Sequence, residues 1–102
     1  MDIKKEINDG KAIVYLEGEI DFTNSQDFKN ELLKIYDQNI KDVEIDFGRL
    51  ESIDSSGLGK ILLFNKKLEE IDGELKIKNV KSEYIREMFE MIQLNKVIKI
   101  ID

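Results

Sequence analysis

Along this chain the spacing of apolar residues switches repeatedly between two residues and about 3.6, and a fold of strands interleaved with helices follows from that alternation. Ile3 and Ile7 sit in a short, lysine-bearing, alternating segment with the character of an edge strand. Asn8-Asp9-Gly10 supplies residues that accept positive φ, the strongest hairpin signal in the sequence. Ala12 to Leu16 is continuously apolar, which predicts a strand covered on more than one side. From Thr23 the period becomes helical. Thr23 and Gln26 have capping-box spacing, with Asn24 or Ser25 as alternative caps, and Phe28, Leu32, Ile35 and Tyr36 form one stripe. Val43, Ile45 and Phe47 alternate with Asp42, Glu44 and Asp46, the pattern of a half-buried strand.

A second helix is expected from about Ser56 to Ile71, ended by Asp72-Gly73. Leu75 and Ile77 mark another strand. Tyr84, Ile85, Met88, Phe89 and Ile92 mark a third helix, with Ser82 as its cap, and Val97 to Ile101 a last strand. The order is ββαβαβαβ: an α/β fold with a leading hairpin, a mixed sheet and crossover helices. With 102 residues the expected unit is one domain over residues 1–102.

Composition narrows the chemistry. The chain has neither Cys nor His, which removes thiol nucleophiles, a Ser-His-Asp triad, disulfides and nearly every zinc or transition-metal site. Its 16 Lys+Arg against 22 Asp+Glu give a net charge of −6, unsuited to neutralising a phosphate backbone. No apolar run reaches the roughly 20 residues of a membrane span, and the charged start is unlike a signal peptide. A cytoplasmic protein without cofactor or metal, and a monomer when free, is the expectation.

Core building explains most of the sequence but not Ile53-Asp54-Ser55-Ser56-Gly57-Leu58-Gly59-Lys60. This segment leaves a strand and opens a helix, yet sets two glycines in the first turns, each costing about 0.5–1 kcal/mol relative to Ala inside a helix. One Gly suffices for a tight strand-to-helix turn, and two suggest that a partner approaches the backbone. A phosphate-binding loop is excluded, because the position five before Gly59-Lys60 holds Asp54 and Ile61 stands where Ser or Thr is needed. The dinucleotide fingerprint fails at Leu62. Ser55 and Ser56 are both credible N-caps. With no His or Cys to act as a base, either serine reads as a substrate of modification rather than a catalyst, and a helix start accommodates added negative charge.

At 100° per residue, Leu58, Ile61, Leu62, Asn65 and Leu68 fall on one side of this helix, its expected core face. Ser56, Gly59, Lys60, Leu63 and Lys67 fall opposite, where an outward Leu63 reads as an interface anchor. Gly18-Glu19-Ile20-Asp21 forms a second unusual site. Asp21 stands between a strand and a helix, which serves the helix dipole and also lets it share a surface with Asp54-Ser55 if the two strand ends are neighbours.

Gly18-Glu19-Ile20-Asp21 paired with Ile53-Asp54-Ser55-Ser56-Gly57-Leu58-Gly59, about 35 residues apart, resembles the STAS domain of anti-sigma factor antagonists, as does the element order. The resemblance covers nearly the whole chain. It implies a partner switch: the unmodified antagonist binds an anti-sigma factor that is also a serine kinase and thereby frees a sigma factor. Phosphorylation falls on the serine after the motif Asp, here Ser55, and a serine phosphatase reverses it. Asp21 matches the acidic residue beside that serine. Taken together, these readings put Asp21, Asp54, Ser56, Gly57, Leu58, Gly59 and Leu63 on the expected partner surface. Members often carry a further C-terminal helix, whereas this sequence ends at Asp102.

Two other functions fit parts of the sequence. A STAS-type scaffold or ligand-binding subunit would never meet a kinase. A phospho-aspartate receiver using Asp46 or Asp54 would need an acidic, metal-holding cluster at its first strand, where only Glu17, Glu19 and Asp21 are available.

Overall fold

In the computed structural model, which describes residues 1–101, the chain runs β1 (Asp2–Asn8), β2 (Lys11–Ile20), α1 (Ser25–Asp37), β3 (Asp42–Ile53), α2 (Ser55–Glu70), β4 (Glu74–Lys78), α3 (Glu83–Met91) and β5 (Lys99–Ile101). A 3-10 turn at Leu94–Lys96 precedes β5. Asp102, the last residue of the expected domain, lies outside the described residues. The strands form one sheet in the order β1-β2-β3-β4-β5, with β1 antiparallel to β2 and the other neighbours parallel. The α/β class and the mixed sheet are those the periodicity predicts.

The hairpin closes over Asp9 and Gly10, at φ 50° and 78°, and Asn8 pairs directly with Lys11. Positive φ at both central residues gives the turn the twist of the strands it joins. Each parallel pair is joined through a helix, as strands running the same way require. Since the strands add in sequence order, the crossover helices lie on one side of the sheet. Ala12, Val14 and Leu16 of β2, Val43, Ile45 and Phe47 of β3, and Leu75 and Ile77 of β4 face the helices. Phe28, Leu32 and Ile35 of α1, Ile61, Phe64 and Leu68 of α2, and Ile85 and Phe89 of α3 close the core from above. The Phe47 and Phe89 ring centroids are 5.6 Å apart and tilted, a favourable aromatic arrangement.

This layering corrects the expectation that β2 is covered on more than one side. Ile13 and Tyr15 point to the helix-free face and are only half-buried. That face is closed by charge: Glu44, 6% exposed, accepts from the Lys11 ammonium at 3.0 Å and the Lys78 ammonium at 3.2 Å. The long stems of those lysines cover apolar sheet while their ends pair with the carboxylate.

Helix ends differ in detail from expectation. No capping box forms at α1. Asn24 is its N-cap residue without a side-chain cap bond, and its amide instead bridges the Asp21 N–H, accepted at 3.0 Å, and the Glu19 carbonyl at 2.9 Å. At the end of α2 Asp72, not Gly73, takes the left-handed conformation, at φ 59°. Gly73 is needed for space, since a Cβ there would meet the Lys41 carbonyl oxygen at 2.6 Å. Ser82 caps α3 as expected, its hydroxyl accepting from the Ile85 N–H at 3.3 Å. The last strand is shorter than Val97 to Ile101, because Val97 ends the 3-10 turn and is exposed. Tyr84 and Ile92 are exposed too, leaving Ile85 and Phe89 as the buried stripe of α3. Among the described residues no helix is long and apolar enough to cross a membrane.

Candidate functional site

The two segments singled out in the sequence meet at the C-terminal ends of β2 and β3. Ile20 and Ile53 are directly paired, and the Asp54 N–H donates to the Ile20 carbonyl at 3.0 Å. Asp21 and Asp54 therefore leave adjacent parallel strands side by side, each at the entrance to a helix.

Asp54 is the N-cap of α2, which corrects the assignment of that role to either serine. Its extended backbone (φ −98°, ψ −177°) turns the carboxylate back over the helix start, where it accepts from the Gly57 N–H at 3.1 Å. The Ser56 hydroxyl donates to the same carboxylate oxygen at 2.6 Å. Among the described residues the Ser55 hydroxyl has no protein hydrogen-bond partner, and Ser55 is exposed as the first residue of α2. The structure thus distinguishes two adjacent serines: Ser56 is tied down and Ser55 is free.

Both carboxylates are held ionised. The Ser56 hydroxyl and then the Gly57 N–H push the Asp54 pKa below its ordinary value, with a contribution from the Phe22 N–H. The Thr23 hydroxyl and the Thr23 N–H, the latter donating at 2.9 Å, do the same for Asp21, while the Asp54 charge opposes them. Asp54, directly before Ser55, and Asp21 beside it are therefore both anionic at neutral pH, with the positive end of the α2 dipole at Asp54.

The glycines separate into two kinds. A Cβ on Gly57 would lie 2.5 Å from Ile20 Cγ2 and 2.9 Å from Ile53 Cγ1. Gly57 is therefore small so that α2 can start against the ends of β2 and β3, not so that a partner can approach. Leu58 is buried as well, so neither residue presents an outward surface. Gly59 is exposed, with nothing within 4 Å of an added Cβ and no positive φ. It lies one turn beyond Ser55 on the same side, and the fold gives no reason for a glycine there.

Leu63 faces outward at 41% exposure, as projected, but Leu62 does so too at 37%, correcting its placement in the core. Phe64 takes the buried position, with Leu58, Ile61, Asn65 and Leu68. The buried arc is no wider than the projected one but is turned about 40° around the helix, which brings in Phe64 and leaves out Leu62.

Sequence reasoning missed Phe22. Its side chain is 79% exposed in the β2–α1 turn, beside Asp21 and with its N–H toward the Asp54 carboxylate. The available signal was an aromatic residue that belongs to no apolar period, between Asp21 and Thr23. Phe22, Ser55 and Gly59 thus provide an aromatic side chain, a free hydroxyl and bare backbone around two carboxylates. Among the described residues no group of three or more acidic side chains is placed to hold a metal ion.

The sequence profile of the STAS domain family matches residues 2–102. The chain belongs to that family. BtrV of Bordetella bronchiseptica, provisionally named an anti-sigma factor antagonist, is 36% identical over 83 residues, covering 81% of this chain and 71% of BtrV. Solved STAS-like structures share the fold at lower identity. A Thermotoga maritima protein, provisionally described as an anti-sigma factor antagonist, superposes with a TM-score of 0.91 at 22% identity, covering 98% of this chain and 86% of that one. The anti-sigma factor antagonist SpoIIAA in its unphosphorylated form gives 0.72 at 24% identity, over 88% of this chain and 83% of SpoIIAA. The phosphorylated form of the Bacillus protein gives 0.76 at 23%, over 97% and 90%. The STAS domain therefore accounts for the element order, the mixed sheet and the resemblance carried by residues 18–21 and 53–59.

Proposed function

We propose that this STAS domain is an anti-sigma factor antagonist that works as a phosphorylation-controlled partner switch, with Ser55 as the modified residue. The supporting observation is the division of labour at the start of α2, where Asp54 caps the helix and engages Ser56, leaving the Ser55 hydroxyl exposed and unbonded. A kinase needs such a hydroxyl, and removing it breaks no internal hydrogen bond among the described residues. The family membership and the antagonist names of BtrV and SpoIIAA supply the biological frame.

In the unmodified state the partner, an anti-sigma factor that is also a serine kinase, packs on the surface formed by Phe22, Ser55, Gly59 and Leu63, with Asp21 and Asp54 beneath. A sigma factor is released in exchange. Phosphorylation adds about −1.5 to −2 charges at pH 7 beside two carboxylates already ionised. The helix dipole and open solvent accommodate that charge in the free protein. A partner surface fitted to a neutral hydroxyl does not, because an unpaired phosphate buried in an interface carries a desolvation cost of several kcal/mol. A serine phosphatase then restores the binding form. In this reading the chain is a binding module that acts as a monomer in the cytoplasm, and no residue of it is catalytic.

The test is to incubate the protein with the serine-kinase anti-sigma factor of the same organism and ATP, and to map the product by mass spectrometry. Phosphate on Ser55, absent from Ser55→Ala and retained by Ser56→Ala, is the expected result. Modification of Ser56 alone, or of neither serine, contradicts the assignment.

A further inference from the structure

α1 and α2 lie side by side over the sheet, and their outer seam joins two leucines to three lysines. Leu33 of α1 and Leu63 of α2 meet there, with Lys29, Lys60 and Lys67 around them. Among the described residues none of the three lysines has a carboxylate within 4.0 Å, although Lys67 lies 5.3 Å from the Tyr36 ring centroid. Five other lysines are engaged by carboxylates: Lys5 and Lys34 with Glu31, Lys11 and Lys78 with Glu44, and Lys76 with Glu74. Between Ser55 and Leu68 α2 carries no acidic residue at all. A chain with a net charge of −6 thus gathers three lysines without a carboxylate partner around an apolar centre, on a helix that has no acidic residue before Glu69. By the helical rise it begins about 8 Å along α2 from Ser55.

We propose that this seam is the second half of the partner interface, and that it fits a protein surface whose apolar side chain is ringed by carboxylates. The inference rests on the partner-switch reading and adds the chemistry of the partner. Leu63 and Leu33 supply area that leaves water, and the lysines choose what covers it. An acidic protein repels an acidic partner at long range, so a local cationic face is what steers the encounter and fixes its orientation. Nucleic acid fits less well, since the centre of the face is apolar and the surrounding charge is negative.

The experiment measures association and dissociation rates with the serine-kinase anti-sigma factor at about 50 mM and about 500 mM salt, where screening lengths differ about threefold. The proteins compared are the wild type, Leu63→Ala, the triple variant Lys29→Glu/Lys60→Glu/Lys67→Glu, and the same triple changed to Gln. Expected at low salt is an association rate lowered about tenfold or more by the Glu triple and by less in the Gln triple, with both gaps closing at high salt. Leu63→Ala instead raises the dissociation rate several-fold at both salts. Wild-type rates in all variants overturn the seam and leave the Ser55 switch standing. A gap that persists undiminished at high salt overturns electrostatic steering. No binding by the wild type overturns the switch, and the seam with it. Lysine-dependent binding to duplex DNA or to phosphatidylglycerol vesicles in place of the kinase assigns the face to another class of partner and overturns the proposal.

Discussion

The Ser56 hydroxyl donates to the Asp54 carboxylate at 2.6 Å, whereas the adjacent Ser55 hydroxyl has no hydrogen-bond partner among the described residues. Ser56→Ala removes a bond to a charged acceptor and is expected to cost about 1–2 kcal/mol of stability. Ser55→Ala removes no internal bond and is expected to stay within about 0.5 kcal/mol of the parent. Urea denaturation of the two variants checks this. A larger loss for Ser55→Ala than for Ser56→Ala reverses the assignment.

The glycine pair gives a sharper contrast. Gly57→Ala drives a methyl group into Ile20 and Ile53 and is expected to destabilise the domain by about 1–3 kcal/mol, the usual cost of overpacking. Gly59→Ala meets open space on a helix and is expected to gain up to about 1 kcal/mol from helix propensity. Gly59→Leu folds as well but loses partner binding, since it fills exposed backbone one turn from Ser55. Melting curves with opposite shifts for the two Ala variants are the expected result.

Glu44 carries a pH dependence. The Lys11 ammonium, with Lys78 in support, holds its pKa below the ordinary carboxylate value despite opposing burial. A depressed folded-state pKa means stability that is present above the unfolded value, about 4.3, and is lost as pH falls through the folded one. Glu44→Gln is therefore expected to unfold at lower urea than the parent at pH 7, and the difference to shrink as pH falls below 4. A constant difference across that range removes the ion pairs as its cause.

Much of this architecture is legible in the sequence because its signals are local. The Asp9-Gly10 turn, the alternation around Val43 to Phe47 and the Ser82 cap each follow from a few neighbouring residues, and each is found in place. What escaped depends on contacts between distant segments. Gly57 reads as a gap for a partner until the ends of β2 and β3 are seen against it. Asp54 and the two serines all suit the N-cap position, and only the backbone turn at residue 54 selects among them. Glu44 reads as the exposed side of a half-buried strand, since Lys11 and Lys78, which cover it, come from two other strands. Phe22 belongs to no period, and periodic reasoning passes over it.

The central claim is that charge on Ser55 and partner binding exclude each other while the fold is preserved. The most direct measurement is a calorimetric titration of the serine-kinase anti-sigma factor with unmodified, Ser55→Ala and Ser55-phosphorylated protein, with a melting curve for each. The account predicts three similar melting curves, binding by the first two forms, and affinity lowered at least a hundredfold for the phosphorylated form, equivalent to about 2.7 kcal/mol. Equal affinity for the phosphorylated and unmodified forms would contradict it.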